Sequence, residues 1–261
     1  MIKMASYDII GSIAIIKSNV KEKPKTKKQK LQEAKQLLNH PNIKTVLEKI
    51  TNVKGRLRTF KTKHLAGEKN FITTHKENNC LFKLNVENCY FSPRQSNDRK
   101  QVALSIKKNQ KILVMFAGIG CYPIVIYKIA KPKQIISIEI SRECNKYAKE
   151  NLRLNKISES EIKIIQGDVK KKMPHGKFGV IVMVRPNLKT TFLKQALKVS
   201  KKGTKIFYQG FCRENELEKI KNYLIEEADN LKRKIKIIKA VKSGEIAPYK
   251  FRWRIEMEIL N

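Results

Sequence analysis

Blocks of apolar residues alternate with mixed polar stretches along the second half of the chain. Short apolar runs rich in β-branched residues predict buried strands, and longer stretches with a helical repeat of apolar residues predict helices. The predicted strands are 111–116, 134–139, 161–165, 178–184 and 204–210. The predicted helices are 122–130, 141–155, 189–200 and 214–230. Because strands and helices alternate at this spacing, we expect a parallel sheet with helices on both faces.

The last two apolar runs, 234–241 and 250–259, differ from the others because no helix separates them. The segment between them, 243–248, contains glycine and proline and predicts a turn. We therefore expect an antiparallel hairpin that closes the sheet. Seven strands ending in a hairpin are typical of the Rossmann-like methyltransferase fold, so the predicted fold class is α/β.

The first hundred residues follow a different pattern. Residues 8–16 predict two short strands around a glycine, a lysine-rich helical region follows, and Pro41 predicts the first turn of a helix. Short β-prone pieces come next, at 56–60, 71–76, 81–85 and 88–91. We expect a smaller basic α+β domain over residues 1–106, whose lysines can form a phosphate-contacting surface, and an α/β domain over residues 107–261.

The charge of the chain is strongly positive, because 57 lysines and arginines stand against 23 acidic residues and give a formal net charge of +34. Such an excess favours a polyanionic partner, since phosphates that are neutralised release their counterions. A nucleic acid is therefore the predicted partner, although charge does not separate RNA from DNA. A general lysine bias of the genome is the alternative explanation and would carry no function.

The patterns of cysteine, histidine and apolar residues argue against several classes of protein. The five cysteines form no C-x-x-C pair and the four histidines are scattered, so neither a disulfide framework nor a metal site is predicted. No run of about 18 apolar residues is present, so no membrane span is expected. We expect a cytoplasmic, monomeric protein without a metal.

The glycine turn at 117–120 carries the most specific chemical signal. It lies between a predicted strand and a predicted helix, so its backbone N–H groups can approach a ligand without interference from Cβ atoms. Glu139 follows Gly120 by 19 residues, at the end of the next predicted strand. A carboxylate at this spacing can hold the two ribose hydroxyls of a nucleoside cofactor. The combination favours a bound adenosine moiety, whereas the glycines alone would indicate only a tight turn.

Six short segments form a recognisable series along the chain. They are 7–14 (YDIIGSIA), 55–59 (GRLRT), 65–68 (LAGE), 74–77 (THKE), 90–94 (YFSPR) and 115–120 (MFAGIG). In this order they resemble the archaeal and eukaryotic family of tRNA (guanine-37-N1) methyltransferases. The same superfamily includes wybutosine-pathway enzymes that act on the same nucleotide. The resemblance covers nearly the whole chain and implies a tRNA methyltransferase that uses S-adenosylmethionine.

The resemblance also implies roles for four residues in catalysis. Arg58 and Arg94 match arginines tied to catalysis and to the substrate pocket, and Asp98 and Arg99 match a Glu-Arg pair whose carboxylate is held to be the general base. Guanine N1 must lose its proton as it attacks the methyl group, so a carboxylate can accept that proton while a guanidinium stabilises charge on O6. A phosphate contact or a salt bridge is the alternative role of Arg94 and Arg99. Asp98 is one methylene shorter than Glu, which shortens its reach.

The implied cofactor and substrate contacts lie in several predicted loops. The residues implied to contact S-adenosylmethionine are Phe116, Ala117, Gly118, Gly120, Glu139, Ile140, Asp168 and Val169. Gly118 and Gly120 match the loop on the methionine side, Glu139 the ribose acid, and Asp168 the acid that contacts adenine. An Asx turn is the alternative role of Asp168. The residues implied to contact the target nucleotide are Tyr90, Ser92, Arg185, Pro186 and Asn187.

Two departures from the family pattern leave the reaction open. The family usually has Asp where this chain has Val114, and Asn-Leu-Pro where this chain has Val184-Arg185-Pro186. The predicted function is methylation of N1 of guanosine 37. The altered loop motivates a second hypothesis, namely aminocarboxypropyl transfer, or methylation of a tricyclic guanosine intermediate, on the same nucleotide. The missing Asp and Asn motivate a third hypothesis, a catalytically inactive RNA-binding protein.

Overall fold

The computed structural model describes residues 6–17, 25–53, 55–184 and 189–261. The chain divides into two compact units, Met1–Pro93 and Arg94–Asn261. This division falls before the helix Ser96–Leu104, whereas the sequence analysis placed the domain boundary after it. The helix belongs with the second unit because it packs on the helix Cys121–Ala130 of that unit.

A four-stranded sheet and a separate hairpin form the first unit. The strands of the sheet, in spatial order, are β1 (Tyr7–Ile10), β2 (Ile13–Lys17), β3 (Thr45–Lys49) and β4 (Thr62–Gly67). The strands of the hairpin are β5 (Ile72–Glu77) and β6 (Cys80–Asn85). Helix α1 (Lys27–Leu38) packs on β3 and β4, and its Ala34 and Leu37 share a buried cluster with Val46. The pair β1–β2 confirms the two short strands predicted over residues 8–16.

A seven-stranded sheet forms the centre of the second unit and confirms the predicted α/β fold. Its strands, in spatial order, are β12 (Ile235–Ala247), β13 (Lys250–Ile259), β11 (Ser200–Arg213), β10 (Phe178–Met183), β7 (Lys111–Met115), β8 (Gln134–Glu139) and β9 (Ile162–Gln166). Strands β7 to β11 pair in parallel, and β12 and β13 form the predicted antiparallel hairpin. The helices are α2 (Ser96–Leu104), α3 (Cys121–Ala130), α4 (Arg142–Leu154), α5 (Leu193–Lys198) and α6 (Leu217–Asn230). None of the described helices is long and apolar enough to cross a membrane.

Burial on both faces explains why the central strand β7 is so apolar. Ile112, Leu113, Val114 and Met115 are all completely buried, since a parallel strand covered on both sides has no solvent-facing positions. Val114 therefore belongs to the core, where it pairs with Val182 of β10. The carboxyl ends of β7, β8, β9 and β10 lie at one edge of the sheet, and ligands bind at that edge in sheets of this type.

Three local predictions for the first unit are wrong. Pro41 begins no helix but lies in a turn, in which Ile43 N–H donates to His40 O at 2.9 Å. The β-branched residues that follow favour an extended chain, and they enter β3. Residues 56–60 form turns with an isolated bridge, and residues 88–91 form no strand.

Candidate active site

The glycine turn follows β7 directly, as the sequence predicts. Phe116, Gly118 and Gly120 have φ angles of +63°, +57° and +87°, so the chain reverses direction over a few residues. The Ala117 N–H donates to Ile138 O at 3.0 Å, which ties the turn to the end of β8. A Cβ added to Gly118 would meet no atom within 4 Å. Gly118 therefore faces open space at the carboxyl edge of the sheet.

Glu139 ends β8 beside this turn. Its Oε2 accepts a hydrogen bond from Gly118 N–H at 2.9 Å, and its Oε1 accepts one from Ser141 N–H at 2.8 Å. Burial raises the pKa of Glu139 above its ordinary value of 4.5, while backbone hydrogen bonds from Ser141, Gly118 and Ile140 act against this rise. A carboxylate offers about four lone-pair positions, so Glu139 keeps acceptor capacity beyond these three backbone donors.

The loop after β9 reaches the same edge. Gly167 N–H donates to Glu139 O at 2.8 Å, which joins this loop to the end of β8. Within the loop, Asp168 Oδ1 accepts a hydrogen bond from Lys170 N–H at 2.9 Å and forms an Asx turn. Val169 is buried next to it. The residues predicted to contact the cofactor thus lie in three loops at one edge, and their individual contacts stay predictions.

The loop after β10 carries three of the predicted substrate residues. Val184 N–H donates to Met115 O at 3.1 Å, so the loop begins beside the glycine turn. Arg185, Pro186 and Asn187 lie outside the described residues. Their contacts with the target nucleotide stay predictions.

Asp98, the predicted general base, lies on α2 and is only 6% exposed. Its Oδ2 accepts a hydrogen bond from the Tyr122 hydroxyl at 2.5 Å, and its Oδ1 forms an ion pair with the Arg254 guanidinium. The Tyr122 hydroxyl accepts in turn from Gln209 Nε2 at 2.8 Å. Burial, followed by the charge of Asp98, raises the pKa of Tyr122 well above its ordinary value. The hydroxyl therefore stays protonated and donates to Asp98.

The buried network of Asp98, Tyr122, Gln209 and Arg254 joins α2, α3, β11 and β13. Arg99 lies beside it, 2% exposed, with its guanidinium carbon 5.9 Å from the centre of the Tyr122 ring. The other predicted catalytic residue of this unit, Arg94, is exposed in the turn that precedes α2. The catalytic roles of Arg94, Asp98 and Arg99 stay predictions.

Arg58 and Tyr90 lie together within the first unit. The guanidinium carbon of Arg58 is 4.4 Å from the centre of the Tyr90 ring, and its buried Nε has no hydrogen-bond partner among the described residues. Ser92 is half-buried and follows Phe91, whose ring packs 5.0 Å from that of His75. A stacked guanidinium with an unused donor suits an anionic or planar ligand.

The sequence analysis missed Tyr122, Gln209 and Arg254. One signal for Arg254 is present, because Arg252 and Arg254 occupy alternate positions of a strand, on either side of Trp253, and are both buried. A charged side chain on the inward face of a strand needs a buried partner. The sequence does not identify that partner as Asp98.

Comparison with known proteins assigns the family. Residues 73–238 match the model of the TRM5/TYW2 methyltransferase domain. The chain belongs to the TRM5/TYW2 methyltransferase family. Residues 3–70 match the TYW2 N-terminal domain, so family models cover both units. Membership of this family confirms the resemblance that the six segments indicate.

Individual relatives carry related names. The tRNA (guanine(37)-N(1))/4-demethylwyosine(37)-methyltransferase Taw22 of Nanoarchaeum equitans is 44% identical over 153 residues, which are 59% of this chain and 49% of that protein. The tRNA (guanine(37)-N(1))-methyltransferase Trm5b of Pyrococcus abyssi is 33% identical over 213 residues, which are 81% of this chain and 61% of that protein. The crystal structure of Methanocaldococcus jannaschii Trm5 in complex with adenosine has a TM-score of 0.81 at 25% identity and covers 98% of this chain and 74% of that one. The chain thus spans about half to three fifths of the length of these two curated relatives.

Proposed function

We propose that the protein transfers a methyl group from S-adenosylmethionine to N1 of guanosine 37 in tRNA. The observation that carries the proposal is the open glycine turn at Gly118, hydrogen-bonded to the Glu139 carboxylate at the carboxyl edge of a parallel sheet. The names of the Nanoarchaeum and Pyrococcus relatives support the substrate and the position of transfer. The net charge of +34 suits a tRNA partner.

The residues at the carboxyl edge fit S-adenosylmethionine. Gly118 leaves open space where another residue would place a Cβ, and Glu139 keeps acceptor capacity for a ribose hydroxyl. In this proposal residues 116–120 contact the methionine part, Ile140 lies against the adenosine, and Asp168 and Val169 contact the adenine. The cofactor, when bound, supplies a methyl group on a positively charged sulfur, so the transfer needs no covalent enzyme intermediate.

Asp98 is the proposed acceptor of the proton that guanine N1 loses. Tyr122 and Arg254 each engage one oxygen of Asp98, so the carboxylate keeps lone pairs that can accept the proton. The base works only within hydrogen-bond reach of N1, so the guanine must lie beside Asp98. Arg94 and Arg99 are the proposed guanidinium groups that stabilise negative charge on O6.

The remaining predicted residues are proposed to hold the target nucleotide. Guanosine 37 must leave the stacked anticodon loop before its N1 can react. The Arg58–Tyr90 pair supports a role in holding the extruded nucleotide, because the guanidinium is stacked and its Nε is unpartnered among the described residues. Ser92 and residues 185–187 complete this proposed set.

Aminocarboxypropyl transfer to the same nucleotide is the second candidate function. The match of residues 3–70 to the TYW2 N-terminal domain favours it. The sequence Val184-Arg185-Pro186, in place of the Asn-Leu-Pro usual in the N1-methyltransferases, also favours it. The cofactor and its site would be the same, but the group moved would be the aminocarboxypropyl chain.

Mass spectrometry of nucleosides from treated tRNA distinguishes the two candidates. The protein is incubated with S-adenosylmethionine and with unmodified transcripts that carry guanosine or adenosine at position 37, and with tRNA that carries the tricyclic intermediate. We expect one added methyl group on N1 of guanosine 37 and no change in the adenosine transcript. The mass of an aminocarboxypropyl group on the tricyclic intermediate, without methylation of guanosine 37, would overturn the proposal in favour of the second candidate.

A further inference from the structure

A cavity lies at the amino ends of the strands of the seven-stranded sheet, at the edge opposite the glycine turn. It has a volume of about 460 Å³ and is lined by four lysines and three side-chain amides. The lysines are Lys111, Lys133, Lys177 and Lys201. No carboxylate is among the lining residues. The cavity is therefore positively charged throughout and is separate from the cofactor edge.

The sheet itself explains why these lysines converge. Lys111 begins β7, Lys133 directly precedes β8, Lys177 directly precedes β10, and Lys201 is the second residue of β11. These four strands are neighbours in the order β11-β10-β7-β8 and run parallel. Parallel strands begin at the same edge, so each strand contributes one lysine to the same cavity.

The positive charge of the cavity is not neutralised within the described part of the chain, where none of the four lysines forms an ion pair. Lys177 Nζ donates to the backbone oxygen of Lys198 at 3.0 Å, and Lys111 Nζ lies 5.2 Å from the centre of the Phe178 ring. Lys133 and Lys201 are exposed. Four ammonium groups around one cavity create a positive potential that favours an anion there.

An acid on the same edge does not supply the missing negative charge. Glu161 directly precedes β9, but its carboxylate accepts hydrogen bonds from the Tyr127 hydroxyl and from Ser158 N–H, the latter at 2.8 Å. It is thus engaged by groups that do not belong to the cavity. Glu161 therefore leaves the cavity positively charged, and such a site attracts anions.

We propose that this cavity binds phosphate groups of the tRNA backbone. Lysine ammonium groups contact phosphates as point charges, and the amides add further hydrogen-bond donors. Phe178, the ring beside the cavity, is completely buried and offers no surface on which a base could stack, so the contact reads the backbone and not the sequence. The inference rests on the proposed tRNA substrate and extends it, because this edge is opposite the one that holds the reacting base.

The salt dependence of tRNA binding tests the inference. The double variant Lys133→Gln/Lys201→Gln removes two charges whose side chains make no hydrogen bond or ion pair to the described residues. The matched control, Lys219→Gln/Lys236→Gln, removes two exposed lysines from α6 and β12. Binding of an unmodified transcript is measured without cofactor at several salt concentrations. The slope of log K against log [salt] should become shallower by about 1 to 2 in the cavity variant, since each lost phosphate contact removes about 0.7–0.9.

The outcomes separate this inference from the proposed function. A smaller slope in the cavity variant than in the control variant, with unchanged cofactor affinity in both, supports it. Equal slopes in the two variants overturn it, even if the wild type binds and methylates tRNA. A wild-type protein that binds no tRNA overturns the proposed function as well. If inorganic tripolyphosphate binds the wild type but not the cavity variant, and the tRNA slopes are equal, the ligand is a free polyphosphate and the assignment to tRNA is wrong.

Discussion

Glu139 and Asp98 show how far a single residue can be predicted. The position of Glu139 follows from local order, because a strand, a turn and a helix fix the distance along the chain from the glycines to the next strand end. The environment of Asp98 does not follow from local order, since its partner Arg254 lies 156 positions away in sequence. Contacts between distant segments depend on the whole fold, so the buried state of Asp98 became visible only in the structure.

Glu139→Gln tests the ribose site through pH. Burial raises the pKa of Glu139, so the carboxylate is ionised only above its ordinary range, and cofactor affinity should fall as the pH is lowered through that raised pKa. The variant should bind the cofactor more weakly, by about 1.5–3 kcal/mol for each lost charge-assisted hydrogen bond, and should not show this pH dependence. Calorimetric titration with S-adenosylmethionine at several pH values measures both effects.

The pH dependence of the free energy of unfolding provides a second test of Glu139→Gln. A raised pKa in the folded state contributes stability that is complete below the unfolded pKa and is lost as the pH rises through the folded value. The free energy of unfolding of the wild type should therefore fall, relative to that of Glu139→Gln, as the pH rises. Glu143→Gln, which removes a more exposed acid from α4, is the control. Parallel pH profiles for the two variants would show that Glu139 is not the perturbed group.

At the scale of elements, apolar runs predicted the central strands β7, β8 and β10 because those strands are buried on both faces. The same rule missed β4, whose residues TKHLAG are mostly half-buried and contain no apolar run. Pro41 was misleading because its fixed φ suits a turn as well as a helix. The link between α3 and α2 also escaped prediction, because it is a hydrogen bond between the side chains of Tyr122 and Asp98, and Tyr122 is held in turn by Gln209 of β11.

Tyr122→Phe tests whether that link stabilises the second unit. Removing the hydroxyl takes from Asp98 and from Gln209 the buried hydrogen bond that each makes with Tyr122, which costs about 1–3 kcal/mol. The midpoint of chemical denaturation should fall accordingly. Tyr223→Phe removes the hydroxyl of a tyrosine on α6 that is 55% exposed and should leave the midpoint unchanged. Equal midpoints for the two variants would mean that the network contributes nothing to stability.

At the scale of the whole molecule, charge predicted the class of partner but not where it binds. The excess of 57 basic over 23 acidic residues is a property of the composition, whereas the lysine cavity depends on strand order. The sequence predicted a cofactor site at the carboxyl edge of the sheet and did not predict a site at this opposite edge. Neighbouring strands such as β10 and β11 had to be seen side by side before the lysines at their starts could be grouped.

The affinities for the two proposed ligands, tRNA and S-adenosylmethionine, should depend differently on salt concentration. If six or more phosphates are neutralised, tRNA affinity should fall by a factor of about a thousand or more between about 50 and 200 mM salt. Cofactor affinity should change far less, because its main proposed contact is with the half-buried Glu139 carboxylate, which salt screens weakly. Filter binding for tRNA and calorimetry for the cofactor measure the two dependences. A tRNA affinity that is insensitive to salt would exclude a binding mode dominated by phosphates.

The central claim is that the open turn at Gly118 holds the cofactor, and Gly118→Ala tests it most directly. Gly203→Ala is the matched control, since both glycines have positive φ angles, of +57° and +78°, and neither Cβ would meet an atom within 4 Å. Both variants should lose about 1–2 kcal/mol of stability from the left-handed backbone. In calorimetric titration with S-adenosylmethionine, only Gly118→Ala should lose affinity, by about tenfold or more, because its Cβ fills space meant for the ligand. Wild-type affinity in Gly118→Ala would contradict the account.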